Sequence, residues 1–141
     1  MERKSTGQLN QELMQASSLG EYVSENRDAF SEQAVSQLLS ELYEKKSISK
    51  AALARRAGMS EVYLHQVFSG RRSPSRDRLL CLCLGLEATL EETQELLRQT
   101  GFAQLYPRHK RDAVISYGLV HGISLGEIND RLFVENEKTL F

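Results

Sequence analysis

The stretch SKAALARRAGMSEVYLHQVFSGRRSPSRDR, residues 49–78, decides the fold. Its apolar side chains recur with the 3.6-residue period of an α-helix, and they predict two short helices. The first opens at Ser49 or Lys50, and Gly58 supplies the corner because a tight turn needs a residue that tolerates positive φ. Ser60 caps the second helix, because its hydroxyl can accept a hydrogen bond from a free N–H of the first turn. An arginine-rich loop follows.

Each of the two helices has an apolar stripe that can face the other. These stripes are Leu53, Ala54 and Ala57 in the first helix and Leu64, Val67 and Phe68 in the second. The order helix, short turn, helix and basic loop is the physical form of a helix-turn-helix, whose second helix can lie in the DNA major groove. A plain helical hairpin buried in an all-α protein is the alternative interpretation.

The stretch resembles the helix-turn-helix of the phage-repressor family, also called the Cro/cI or XRE family. The residues that carry this resemblance are Leu53, Ala54, Gly58, Ser60, Leu64, Val67, Ser69 and Gly70. With its flanking helices the resemblance covers roughly half of the chain. It implies a bacterial DNA-binding regulator with a five-helix domain, in which the second helix of the motif is the recognition helix.

The composition is that of a globular, all-helical protein. Hydrophobic residues make up 40% of the 141 residues, charged residues 26%, and only two prolines are present. No apolar run approaches the ~18 residues of a membrane span, and the first residues lack a signal core, so we expect a cytoplasmic protein. Cys81 and Cys83 point to different helix faces and are expected to be small core residues of a reducing compartment.

Positive charge is concentrated on the opening stretch, although the net charge of the chain is only −1. Residues 45–78 carry nine Lys or Arg against two acidic residues, Glu61 and Asp77, which gives +7. Residues 1–44 carry −5 and residues 79–141 carry −3. A local cationic patch attracts phosphate and makes affinity fall with salt. A solvated basic surface without a ligand is the alternative.

The fold predicted from these patterns is all-α and has three parts. A five-helix phage-repressor-like DNA-binding domain spans residues 31–101. A short acidic N-terminal helical arm, residues 1–30, precedes it, and a C-terminal helical hairpin, residues 102–141, follows. The apolar area of the hairpin needs a partner, so we expect it to cap the preceding domain or to form a dimer interface. It is also the surface on which we expect a protein partner.

Capping signals set the expected helix limits. Ser31 can cap the long first helix of the domain, which runs to about Lys45, and Ser5 or Thr6 can cap a helix of the arm. Gly85 is expected to end a helix over residues 76–84. Capping-box patterns predict three more helix starts, at Ser18 with Glu21, Thr89 with Glu92 and Ser124 with Glu127.

The resemblance assigns two groups of DNA-binding residues. The base-facing group at the start of the recognition helix is Ser60, Glu61, Val62, Tyr63, His65 and Gln66. The phosphate-binding group is Lys50, Arg71, Arg72, Ser73, Ser75 and Arg76. Gln66 could pair with adenine and Glu61 with a cytosine amino group, although Glu61 also suits a helix N-terminus. Contacts to phosphate position the protein and carry no sequence information.

These observations favour a sequence-specific regulator of transcription that binds double-stranded DNA as a homodimer. His65, His109 and His121 lack metal-ligand spacing, and no nucleophile motif or glycine-rich phosphate loop stands out. We therefore expect no enzyme activity, no cofactor and no metal. A protein-interaction adaptor on a repressor-like fold is the alternative function, because Glu61, Val62 and Tyr63 suit a protein contact as well as a base contact.

Overall fold

A computed structural model describes residues 4–25 and 33–141, and every regular element in these ranges is an α-helix. The all-α prediction is confirmed. The chain divides into two compact units, Met1–Glu32 and Gln33–Phe141. Within the described ranges, no helix is long and apolar enough to cross a membrane.

The first unit contains α1 (Thr6–Gln15) and α2 (Leu19–Glu25). Ser5 caps α1, where Gln8 N donates to Ser5 Oγ at 3.1 Å and Ser5 N donates to Gln8 Oε1 at 2.8 Å. At α2 the Ser18 hydroxyl accepts from Glu21 N at 3.1 Å, while the Glu21 carboxylate accepts from the neighbouring hydroxyl of Ser17. Both helix starts therefore follow the capping signals of the sequence.

The second unit contains seven of the described helices: α3 (Gln33–Glu44), α4 (Lys50–Arg56), α5 (Glu61–Phe68), α6 (Arg76–Gly85), α7 (Leu90–Gln99), α8 (Lys110–His121) and α9 (Leu125–Val134). The predicted cap Ser31 lies outside the described residues. The capping box of Thr89 and Glu92 is formed, and Ser124 Oγ accepts from Glu127 N at 3.3 Å. Gly122, at a φ of 64°, closes α8.

Helix α6 is the centre of the second unit, because α4, α7, α8 and α9 all contact it. Each residue from 79 to 85 is buried, which explains why this segment is apolar on all sides. Cys81 and Cys83 lie in this core as free thiols, as expected from the sequence. Burial raises the pKa of Cys81 to about 11 and that of Cys83 to about 12, so both remain protonated at neutral pH.

Helix α6 ends at Gly85, one residue beyond the predicted helix, and this glycine also has a packing role. A Cβ at residue 85 would lie 3.0 Å from Leu53 Cδ1 and 3.2 Å from Ala57 N. The glycine therefore lets α4 approach α6 closely. Glu87, two residues beyond the end of α6, has a φ of 54° and makes the left-handed turn there.

The hairpin of α8 and α9 packs against the helix-turn-helix part of the second unit. The side chain of Ile128 fills the space above Gly118, which also faces Leu84 of α6. Buried residues of the hairpin join the same hydrophobic core, and these are Ile115, Leu119, Leu125, Ile128 and Leu132. The hairpin thus packs against the preceding helices of the second unit. A dimer interface stays a prediction.

Candidate nucleic-acid interface

Two serine caps and one glycine fix the helix-turn-helix locally. Ser49 Oγ accepts from Ala52 N at 3.1 Å at the start of α4, and Ser60 Oγ accepts from Tyr63 N at 3.1 Å at the start of α5. Gly58 between the helices has a φ of 67°, which a residue with a side chain adopts only with strain. The predicted helix starts and the predicted turn are therefore confirmed.

Helix α5 has one buried side and one accessible side. Leu64 and Val67 are fully buried against the core. The predicted base-facing residues divide into two groups by exposure: Ser60, Glu61, Val62 and His65 are exposed, and Tyr63 and Gln66 are half-buried. The helix can therefore present the exposed four directly to a ligand, whereas the other two are partly covered by the protein.

The basic loop after α5 is bonded to the end of that helix. The carbonyl oxygen of Gln66 accepts from Arg71 N at 2.9 Å, from Arg72 N at 3.2 Å and from Ser69 Oγ at 3.1 Å. The side chains of Arg71, Arg72 and Ser73 are exposed. The backbone of the loop is therefore fixed on α5, and Arg71 and Arg72 start from the end of this helix.

Arg76 differs from the other predicted phosphate contacts, because its guanidinium is occupied inside the protein. Nη2 lies 3.1 Å from Asp112 Oδ2 and Nη1 lies 3.4 Å from Oδ1. Nε donates to Ala103 O at 2.8 Å and Nη2 also donates to Gln104 O at 3.3 Å. These contacts hold the segment after α7 and the start of α8 against α6, and the phosphate role of Arg76 stays a prediction.

Ser75 and Lys50 also have contacts within the protein, but Ser75 is exposed to solvent and Lys50 is half-buried. Ser75 is exposed and caps α6, where its hydroxyl accepts from Arg78 N at 3.2 Å. The ammonium of Lys50 lies 5.1 Å from the ring centre of Phe68 and 5.7 Å from that of Tyr43. Lys50 is half-buried, and cation–π attraction to these two rings can hold its ammonium beside them.

Part of the positive charge in residues 45–78 is paired with a carboxylate of α7. Lys46 Nζ lies 2.8 Å from Glu92 Oε1 and joins the end of α3 to the start of α7. Burial opposes ionisation of Glu92, but the Lys46 ammonium and the Thr89 N–H outweigh it and lower the pKa of this carboxyl. The charge of Lys46 is therefore compensated within the fold by Glu92.

Arg78 is a candidate that sequence reasoning did not select. Its guanidinium carbon lies 5.3 Å from the ring centre of Tyr63, which places a cation of α6 beside the first turn of α5. The arginine was visible in the charge count of the basic stretch. Its contact with Tyr63 depends on how α5 and α6 cross, and helical periodicity within one segment does not carry that information.

Four cations lie on elements next to α5 in the chain: Lys50 on α4, Arg71 and Arg72 in the loop after α5, and Arg78 on α6. Such cations can bind an anionic backbone. Among residues 4–25 and 33–141, no group of three His, Cys, Asp or Glu side chains is placed to hold a metal ion.

Comparison with known proteins supports the helix-turn-helix assignment. Residues 31–96, just under half of the chain, match a family model described as a helix-turn-helix domain. This match indicates a DNA-binding regulator. No curated protein and no solved structure matches the chain.

Proposed function

We propose that this protein is a sequence-specific transcriptional regulator of the XRE type, which binds double-stranded DNA through its helix-turn-helix. The observation that carries the proposal is the attachment of the basic loop to α5. The carbonyl of Gln66 accepts from the backbone of both Arg71 and Arg72, so an accessible helix face and two exposed cations belong to one local unit. A helix in the major groove needs cations at its flanks for the phosphates.

Phosphate binding is assigned to the exposed cations and hydroxyls beside α5. These residues are Lys50, Arg71, Arg72, Ser73 and Ser75. Arg78 is included as well, because its guanidinium lies beside Tyr63 of α5. Arg76 is left out because Asp112 and two carbonyl oxygens occupy its donors. Such contacts supply affinity for any sequence and position the recognition helix.

Sequence preference is assigned to the accessible side of α5. The proposed base-facing residues are Ser60, Glu61, Val62, Tyr63, His65 and Gln66. An amide can form two hydrogen bonds with adenine, a carboxylate can accept from cytosine, and an aliphatic side chain can contact the thymine methyl group. Val62, with 68% of its surface exposed, suits the last of these contacts.

The proposed active form is a homodimer. Two recognition helices placed about 34 Å apart would enter successive major grooves on one side of a near-palindromic site. Exposed apolar side chains of the hairpin are available for such an association, and these are Tyr117, Val120, Phe133 and Val134.

Salt dependence of duplex binding tests the proposal. A protein with several phosphate contacts loses affinity steeply as salt rises, with a slope of log K against log salt of about −0.9 for each contact. We expect fluorescence anisotropy with a 30-base-pair duplex to give such a slope, and we expect Arg71→Ala together with Arg72→Ala to reduce it by about 2. Binding that does not change with salt, or no binding at low salt, would contradict the proposal.

A protein-interaction adaptor remains the second candidate, and the exposure of Val62 favours it. An aliphatic side chain that is 68% exposed beside the exposed carboxylate of Glu61 also suits a protein surface. This function predicts a defined partner that is retained after nuclease treatment and lost in Val62→Asp. Retention of the partner by Val62→Asp would exclude this face as the contact.

A further inference from the structure

Residues 138–141 fold back onto the helix-turn-helix after α9. Asn136, at a φ of 58°, reverses the chain, and Glu137 N donates to Leu132 O at 2.8 Å. The following residues are not helical. The side chain of Leu140 is buried, and Leu140 N donates to Asn129 Oδ1 of α9 at 2.7 Å. We call residues 138–141 the strap.

Arg111 fastens the strap to the start of α6. Its Nε donates to Lys138 O at 2.8 Å and its Nη2 donates to Thr139 O at 3.2 Å. The same guanidinium meets Asp77 with Nη1 3.0 Å from Oδ1 and Nη2 3.1 Å from Oδ2. The partly buried side chain of Arg111 in α8 therefore joins the strap to the first turn of α6, the helix that follows the basic loop.

The far end of the strap lies on the turn of the helix-turn-helix. A Cβ at Gly58 would lie 2.8 Å from Phe141 Cε1 and 3.2 Å from Cδ1, with Leu125 Cδ2 at 3.4 Å. The ring thus occupies the space beside the glycine whose positive φ makes the corner between α4 and α5. Contact at this point can restrict the angle between the two helices.

Two Arg-Asp pairs hold the start of α6 in the same way. Arg76 and Asp77 begin α6, and Arg111 and Asp112 lie in the first turn of α8. Arg76 pairs with Asp112 and donates to the backbone carbonyls of residues 103 and 104. Arg111 pairs with Asp77 and donates to those of residues 138 and 139. The end of the basic loop is therefore fixed to two irregular segments of the chain.

We propose that the strap and Arg111 are positioning elements for DNA binding: they hold the turn at Gly58 and the start of α6 so that the recognition helix and the basic loop meet DNA as one rigid surface. This inference rests on the proposed function. None of these residues needs to touch DNA. Their contribution is preorganisation, because a surface that is already ordered loses less conformational entropy on binding.

The test releases the strap with Leu140→Asp and uses Leu140→Met as the matched control, which retains an apolar side chain of similar volume. Amide hydrogen exchange at residues 57–60 reports on the turn without DNA. Anisotropy with a 30-base-pair duplex reports on binding. For Leu140→Asp we expect about 10-fold faster exchange at the turn and about 5-fold weaker binding, with helix content retained by circular dichroism. Leu140→Met should match the wild type in both.

A second variant, Arg111→Lys, keeps the test decisive if Leu140→Asp does not fold. Lysine retains the positive charge opposite Asp77 but lacks the planar fork that reaches Asp77 and the two carbonyls together. We expect about 3-fold faster exchange at residues 57–60 and weaker binding in proportion.

Three results would overturn the inference, and one of them separates it from the proposed function. Unchanged exchange at the turn in both variants would show that the strap does not hold it. Faster exchange with unchanged affinity would show that the turn does not need to be held for DNA binding. A wild-type protein that binds no duplex would overturn the proposed function, and with it the DNA role of the strap, whatever the exchange data show.

Discussion

Nη2 of Arg76 lies 3.1 Å from Oδ2 of Asp112, and this pair joins the start of α6 to the first turn of α8. The side chain of Asp112 is 8% exposed and that of Arg76 is 22% exposed. Asp112 also accepts from Tyr106 N at 3.0 Å, so both carboxylate oxygens are used. An arginine from the most basic part of the sequence is thus an internal contact that attaches the hairpin.

Removal of Asp112 should destabilise the protein strongly. Asp112→Ala leaves the Arg76 guanidinium partly buried without its carboxylate, and it removes the acceptor of Tyr106 N. We expect a loss of about 2–4 kcal/mol in the free energy of unfolding, measured by urea denaturation. Lys110→Ala is the control, because its pairing with Glu135 at 3.8 Å is exposed and should contribute less than about 0.5 kcal/mol. Equal effects of the two variants would contradict this role of Asp112.

Removal of Arg72 should weaken binding to every duplex without changing stability. The side chain of Arg72 is exposed, so the fold does not depend on its charge. A phosphate contact does depend on that charge. We expect Arg72→Ala to reduce the salt slope of binding by about 1. Arg108→Ala removes an exposed cation far along the chain from α5 and should leave the slope unchanged. A loss of affinity on some sequences only would point to a base contact instead.

Replacement of Gln66 should change sequence preference. The amide of this half-buried residue is assigned to a base edge, and one lost bidentate contact costs about 1–3 kcal/mol of discrimination. Its backbone carbonyl still accepts from the loop in Gln66→Ala, so the positions of Arg71 and Arg72 should persist. Binding-site selection with the variant should relax one position of the motif. A uniform loss on all sequences, like that of Arg72→Ala, would refute the assignment.

Glycine-to-alanine substitutions separate close packing from helix propensity. At Gly85 the new methyl group would lie 3.0 Å from Leu53 Cδ1 and 3.2 Å from Ala57 N, so α4 must move away. We expect Gly85→Ala to cost about 1–3 kcal/mol of stability. Gly126 lies in α9 with no heavy atom within 4 Å of its notional Cβ, and Gly126→Ala should stabilise by about 0.5–1 kcal/mol. Thermal denaturation should give shifts of opposite sign.

The pair of Lys46 and Glu92 should make stability depend on pH in the acid range. The pKa of Glu92 is lowered in the folded protein, so its contribution is present above the ordinary glutamate pKa of about 4.3. It is lost as the pH falls from there through the lower folded value. Glu92→Gln should therefore be less stable than the wild type at pH 7, and this difference should shrink in acid denaturation series below pH of about 4. A difference that stays constant with pH would contradict this source of stability.

Local signals predicted much of the fold. Ser49, Ser60 and Thr89 cap helices as expected, because a cap depends on neighbours within one turn. Gly58 makes the expected corner. The end of α6 at Gly85 was also predicted, but the close contact of this glycine with α4 was not, because only the crossing of α4 and α6 reveals it.

The candidate site was less accessible to sequence reasoning. The solvent exposure of Glu61 and Val62 can be predicted from the helical period once Leu64 is assigned to the hydrophobic core. The partner of Arg76 is 36 positions away, and that of Arg111 is 34 positions away, so local pattern could not identify them. The base-facing and phosphate-binding roles themselves stay predictions.

The most direct test of the central claim is selection of binding sites from random duplexes with the full chain at low salt. The proposed regulator should enrich a two-fold symmetric motif whose half-sites are centred about 34 Å apart, roughly one helical turn. The same protein should bind that motif about 10³-fold or more tightly than a shuffled duplex. Recovery of no motif, together with no binding of any duplex at low salt, would contradict the account.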